Sequence, residues 1–159
     1  MKRILQSRLI TDYGMVLVLL LLGVLISWAT WDEQHPETPG AGRSLAGGMV
    51  EVLGEDLQVV IVLRQTSGDR RYAEAIAGEL ERRGVTVVAT IHASSAKEAQ
   101  AELEKLGKQG TRVNAIATHH FCSSTWGVLR PTSLNALAAD HPSLKGIEAY
   151  RPKSYMWST

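Results

Sequence analysis

Two kinds of apolar run divide this chain. From Gly14 to Trp31 no charged residue occurs, and from Met15 to Ile26 nearly every side chain is Leu, Val, Ile or Met. A helix of that length rises about 27 Å, close to the ~30 Å hydrocarbon core of a bilayer. A water-soluble helix would carry a polar stripe, and this run has none. The pattern therefore predicts a transmembrane helix over residues 14–31, behind a basic leader over residues 1–13. Beyond residue 56 the apolar runs are shorter and alternate with amphipathic segments. "LQVVIVL" (Leu57 to Leu63) reads as a strand buried on both faces. In "SGDRRYAEAIAGELERRG" the residues Tyr72, Ala73, Ile76 and Leu80 line one helical face, Glu79 and Arg83 pair four apart, and Gly84 ends the helix.

The alternation continues. "VTVVATI" (Val85 to Ile91) predicts a second strand. "SSAKEAQAELEKLGKQG" predicts a second helix with Ala99, Leu103 and Leu106 inward and a capping box at Ser95 and Glu98. "VNAIAT" (Val113 to Thr118) predicts a third strand. Pro131 breaks or restarts the next helical pattern, leaving helix over residues 132–139, and "KGIEAY" (Lys145 to Tyr150) predicts a fourth strand. Residues 32–43, with Pro36 and Pro39, read as a linker. A short lead-in helix follows, with Leu45, Met49, Val52 and Leu53 at helical spacing, Ser44 as N-cap and Gly54 as stop. The fold class expected is α/β: one N-terminal transmembrane helix, then a three-layer αβα domain over residues 44–150 with a mainly parallel sheet of about four strands. Residues 151–159 form a C-terminal tail.

Charge sets the orientation of the membrane run. Lys2, Arg3 and Arg8 precede it, while Asp32 and Glu33 follow. The positive-inside rule leaves the N-terminus in the cytoplasm and the α/β domain in the periplasm of a bacterial inner membrane. The alternative is a cleaved export signal with a small-x-small site at Ser27-Trp28-Ala29. The long leader containing Asp12, and the bulky Trp28 and Trp31 at the membrane boundary, favour retention. Over the whole chain, 17 Lys and Arg balance 16 Asp and Glu for a net +1. That balance lacks the basic excess of a nucleic-acid binder. The single Cys122 precludes an internal disulfide and a Cys-rich zinc site.

In an open parallel sheet, ligands bind beyond the carboxyl ends of the strands. Those ends carry Gln65, Ser67 and Asp69 after the first strand, His92 after the second, and His119 and His120 after the third. These six are the candidate ligand-binding residues, suited by their hydrogen-bonding groups to a small hydroxylated molecule. The alternative is structural, with Ser67 and Asp69 capping a helix and the histidines as loop residues facing water. No phosphate-loop or dinucleotide-binding glycine pattern occurs. Adjacent His119 and His120 would point to opposite faces of a strand, and a metal site would need His92 and His141 brought in by folding. Cys122, near His120, has the ingredients of a nucleophile but lacks an orienting partner, and a lone Cys is commonly a packed small residue. No cofactor, metal or catalytic residue is assigned.

The opening "MKRILQSRLITDYGMVLVLLLLGVLISWATWDEQ" resembles the start of bacterial ribose-type ABC sugar permeases, in which a basic leader enters the first membrane helix. The segment "VVIVLRQTSGDRRYAEAIAGELERRGVTVVATI" is similar to the first lobe of type I periplasmic sugar-binding proteins. The closing "YRPKSYMWST" resembles the approach to a further membrane segment. A permease needs more spanning helices than this chain holds, and a binding protein closes two lobes where this chain has material for one. The resemblance thus implies the membrane-anchored N-terminal part of an ABC sugar permease. Its partners would be the lipid bilayer, an ABC ATPase subunit, the remaining permease segments and a periplasmic sugar-binding protein, with no nucleic acid. Two other classes stay open: an independent anchored domain binding a small ligand or an envelope protein, and a secreted hydrolase on an α/β scaffold.

Overall fold

The computed structural model describes residues 2–29, 31–54, 56–152 and 155–158, with side chains over 14–28 and 35–152 apart from residue 55. The chain divides into two units, Met1–Gln34 with Ser154–Thr159, and His35–Lys153.

The first unit holds helix α1 (Lys2–Ala29) and a two-stranded antiparallel ribbon of β1 (Trp31–Gln34) and β6 (Tyr155–Ser158). Trp31 lies opposite Ser158 and Gln34 opposite Tyr155. The helix therefore stops short of Trp31, which opens β1, and the tail expected to approach a membrane segment contributes β6. Along α1 the large apolar side chains from Met15 to Trp28 are exposed, from 47% at Leu22 to 80% at Met15. Among the described residues no helix is long and apolar enough to cross a membrane. The transmembrane span expected over residues 14–31 is therefore not shown by the described residues.

The second unit is built on a four-stranded parallel sheet in the order β3-β2-β4-β5. Its strands are β2 (Gln58–Arg64), β3 (Thr86–Ala93), β4 (Ala115–Ala117) and β5 (Glu148–Tyr150). Strand β2 is central, and its side chains alternate between two cores as a period of two demands. Val59, Ile61 and Leu63 pack against α2 (Pro39–Leu53) and α3 (Ser67–Arg82). Val60 and Val62 join the opposite core with Leu103 of α4 (Ala96–Lys108) and Leu134 of α6 (Pro131–Asp140). All five of these β2 residues are fully buried. Helices on both faces leave no side of β2 in water, hence its unbroken apolar run.

The lead-in helix differs from expectation. It begins at Pro39, inside the stretch expected to be linker, and its cap is Thr38 instead of Ser44. Thr38 Oγ1 accepts from the Ala41 N–H at 3.3 Å, and proline at the first helical position sacrifices no hydrogen bond. The buried face runs through Gly42, Leu45, Ala46, Met49 and Val50, leaving Val52 at 74% exposure. Gly42 sets the contact with α3, since a Cβ there would meet the Tyr72 carbonyl oxygen at 3.0 Å. Any larger residue would push the two helices apart. At the other end Gly54 adopts φ +88° and returns its N–H to the Val50 carbonyl, a conformation disfavoured for other residues.

Elsewhere the elements match the pattern closely. Helix α3 buries Tyr72, Ala73, Ile76 and Leu80, and Glu79 accepts from Arg83 at 2.8 Å. Ser95 caps α4, but Glu98 reaches back to the N–H and hydroxyl of Ser94 instead of Ser95. Pro131 starts α6 at its first position. A short helix absent from the sequence pattern, α5 (His120–Thr125), follows β4.

Candidate functional site

The sheet's winding reverses at β2. The chain moves from β2 outward to β3, then crosses back to place β4 on the other side of β2. Crossovers that leave in opposite directions open a crevice beyond the carboxyl ends of the two strands. Arg64 stands at the end of β2, and His119 lies two residues beyond β4. They define the candidate site.

Each residue there is placed by its element. Arg64 ends a strand whose five preceding residues are buried, so its guanidinium emerges where the apolar layer stops. Asp69 belongs to the first turn of α3 and lies on the same helical stripe as Tyr72, Ala73, Ile76 and Leu80. That stripe faces the core, which carries the carboxylate inward, to 3% exposure. Thr66, not Ser67, caps α3, its hydroxyl accepting from the Asp69 N–H at 3.1 Å. This frees the Asp69 side chain for other partners. His119 is the N-cap of α5, its Nδ1 accepting from the Cys122 N–H at 3.2 Å.

The groups form one network. Arg64 donates from Nε to Asp69 Oδ2 at 2.9 Å, from Nη2 to Asp69 Oδ1 at 3.1 Å, and from its backbone N–H to Oδ2 at 3.1 Å. Its Nη2 also donates to Glu37 Oε2 at 2.7 Å. His119, fully buried, donates from Nε2 to Asp69 Oδ2 at 3.1 Å. Because Nδ1 accepts, the geometry selects the neutral Nε2–H tautomer. Phe121, 39% exposed, presents its ring centre 4.4 Å from the Arg64 guanidinium. The Tyr72 hydroxyl donates to the Thr118 carbonyl at 3.4 Å, and Thr118 Oγ1 donates to the Val62 carbonyl at 2.8 Å, tying β4 to β2.

Electrostatics follow from this crowding. Burial pushes the Asp69 carboxyl up, but the hydrogen bonds from Arg64 and His119 outweigh it and bring the group down to about 2. The hydrogen bond to Asp69 raises the Arg64 guanidinium against the opposing effect of burial, with Glu37 adding to the rise. Burial drives the Tyr72 phenol upward, as do the Glu37 and Asp69 charges. Burial likewise drives the Cys122 thiol up to about 12, so it is a packed thiol and not a thiolate.

Two chemistries do not fit the geometry. Glu37, Asp69 and His119 each offer a ligand atom, all within 4.8 Å of one another. Arg64 already occupies both Asp69 oxygens and one Glu37 oxygen, and both His119 nitrogens are engaged. The cation of this cluster is the guanidinium. Cys122, His119 and Asp69 also lie together, with Cys122 Sγ 3.8 Å from His119 Nε2. A relay needs the acid on one ring nitrogen and the nucleophile on the other. Here Asp69 and the thiol share Nε2, whose proton Asp69 holds, so the ring cannot accept a proton from sulfur there.

Of the six residues singled out in the sequence, Asp69 and His119 are joined directly. His119 is buried and not a water-facing loop residue, and its position at a helix N-terminus explains its inward turn. His120 lies at the same edge, stacked on His35 with ring centres 3.3 Å apart, its Nδ1 accepting from Arg151 at 3.0 Å. His92 is half-buried and reaches the Arg64 carbonyl at 3.4 Å. Gln65 and Ser67 are exposed and take no part in the network. Sequence reasoning missed Arg64, Glu37 and Phe121. Arg64 was visible as the one charge closing an apolar strand, and Phe121 as the only Phe in the chain. Glu37 had no local signal.

No family model matches the chain, and no curated protein matches it. Among solved structures, it is similar to the arabinose-binding protein AraP from Geobacillus stearothermophilus, with a TM-score of 0.55 at 15% identity. That match covers 70% of this chain and 37% of the other. It is also similar to an ABC transporter solute-binding protein from Burkholderia graminis C4D1M in complex with D-arabinose, with a TM-score of 0.55 at 17% identity, covering 70% of this chain and 39% of that one. The chain thus spans less than two-fifths of the proteins it matches, and what it shares with them is the fold of part of a sugar-binding protein.

Proposed function

We propose that this chain is the membrane-anchored N-terminal portion of an ABC-type sugar transporter permease. Its α/β unit senses a neutral monosaccharide or docks a binding protein at the edge of its sheet. The observation that carries the reading is the Arg64–Asp69–His119 network, flanked by Phe121, at the point where the winding reverses between β2 and β4. Fixed carboxylate and guanidinium groups match the donors and acceptors of sugar hydroxyls, and an exposed aromatic ring offers an apolar face. The shared fold with arabinose-binding structures supports the same reading. The exposed apolar belt of α1 supports a lipid anchor, since contiguous apolar surface on this scale is rare on monomers in water. The work of the site is binding and positioning, without bond making.

The test is calorimetric titration of the full chain, reconstituted in nanodiscs, with a panel of neutral pentoses and hexoses. At least one sugar binds, and Phe121→Ala weakens it roughly tenfold, the loss of one aromatic contact of about 1–1.5 kcal/mol. Absence of binding across the panel, together with no capture of a binding protein encoded beside the gene, overturns the proposal. Flotation of the full chain with liposomes checks the anchor independently.

A further inference from the structure

The His119 ring stands between two alternative partners. In the arrangement observed, Nδ1 has no proton and accepts from the Cys122 N–H at 3.2 Å, closing the first turn of α5. Glu37 Oε1 lies 3.6 Å from the same nitrogen. A bare imidazole nitrogen and a carboxylate oxygen are both acceptors, so nothing joins them in this state. A proton on Nδ1 reverses the preference. It forfeits the bond from Cys122, since two N–H groups then face each other, and it creates a charged donor beside Glu37. Helix α5 carries Phe121, whose ring lies over Arg64 and 6.3 Å from the His119 ring.

We infer that His119 is a proton-operated latch: neutral, it caps α5 and holds Phe121 over Arg64; protonated, it turns from Cys122 to Glu37 and releases the ring. This deepens the proposed function, resting on its placement of the ligand at Phe121 and Arg64 and adding acid as the releasing signal. The groups facing His119 come from every element around it. Asp69 of α3 takes the Nε2 proton in both states, Glu37 ahead of α2 accepts only in the protonated one, and Arg64 of β2 ties the two carboxylates together. The Tyr72 ring lies 6.0 Å away, and Cys122 packs against the imidazole edge. The Cys122 N–H needs Nδ1 bare and Glu37 Oε1 needs it protonated, so the two partners oppose each other across one nitrogen. The opposition is what makes the element two-state.

The uniqueness of Phe121 supplies the readout, because a fluorinated phenylalanine incorporated throughout the full chain reports from that position alone. In nanodiscs, its fluorine resonance is followed between pH 8 and pH 5. The resonance moves reversibly in the parent chain. In His119→Asn it stays at the neutral-pH position, since Asn caps a helix well and does not titrate. In Glu37→Gln the transition shifts to lower pH, because the protonated ring loses its charged partner. A resonance that does not move in the parent chain, or that moves identically in His119→Asn, overturns the latch. Should His119→Asn fail to fold, an unshifted transition in Glu37→Gln overturns it equally. The measurement needs no ligand. A moving resonance in a chain that binds no sugar would therefore leave the latch standing and remove the functional reading, whereas sugar binding with a static resonance would do the reverse.

Discussion

The apolar run of α1 and the apolar run of β2 are alike as sequence and opposite as structure. Val59 to Leu63 are fully buried, while the large apolar residues from Met15 to Ile26 are all exposed by 47% or more. The difference lies in what each run needs from its neighbours. A central strand satisfies its backbone through β3 and β4 and buries alternate side chains against α2 with α3 and against α4 with α6. A helix satisfies its backbone internally, so it can form without protein packed over its side chains. Apolar content alone therefore does not distinguish a buried run from an exposed one. The presence of partner elements does.

Placing a charge in each run makes the contrast measurable. Ile61→Asp places a charge between the β2 strand and the α3 helix with no partner, and should cost more than about 4 kcal/mol, enough to abolish the cooperative melt by circular dichroism. Leu20→Arg should leave that melt unchanged. It should instead weaken partitioning into liposomes by roughly 100-fold, the cost of about 3 kcal/mol for Arg near a helix centre. A Leu20→Arg chain that floats as well as its parent would take away the lipid anchor proposed for α1.

Between these extremes lies the charged edge. Asp69→Asn leaves the buried end of the Arg64 fork without its counter-charge and should cost about 2–3 kcal/mol in urea denaturation. The carboxyl of Asp69 is held at about 2, below the 3.8 of a free aspartate. A depressed folded value means that the unfolded chain binds the proton more tightly. The stabilisation, about 2 kcal/mol, is therefore complete above about pH 4 and is lost as the pH falls toward 2. That acid-sensitive portion should vanish in Asp69→Asn, and its persistence would show that other carboxylates carry it. Smallest of all, Val52→Ser should change stability by less than about 0.5 kcal/mol, because the side chain is 74% exposed on α2. A larger loss would place a hidden partner on that face.

The site was only partly legible in the sequence. Strand ends marked the edge where the network forms, and Asp69 and His119 were among the residues named there. Their roles were not visible, because a polar residue after a strand reads as a cap or a solvated loop unless its burial is known. Thr66 took the cap expected of its neighbours, and this alone turned Asp69 from a helix terminus into the centre of a charge network. Glu37 lies 27 residues from Arg64 in the chain, in a stretch expected to be linker, and no local pattern joins them. Cys122 and His119 are close in sequence, yet only the ring orientation shows that they do not form a nucleophile and base.

What the sequence determined by itself was everything that rests on local periodicity and composition. This includes the apolar helix, the central buried strand, the inward stripe of Tyr72, Ala73, Ile76 and Leu80, and the alternation that builds a parallel sheet. These follow because helices and strands repeat at fixed intervals, and an apolar side chain leaves its mark wherever it recurs. Tertiary structure alone decided the strand order β3-β2-β4-β5, and with it the reversal that brings Arg64 beside His119. Hydrogen bonds between distant side chains have no period, so the network among Glu37, Arg64, Asp69 and His119 exists only once the chain has folded around it.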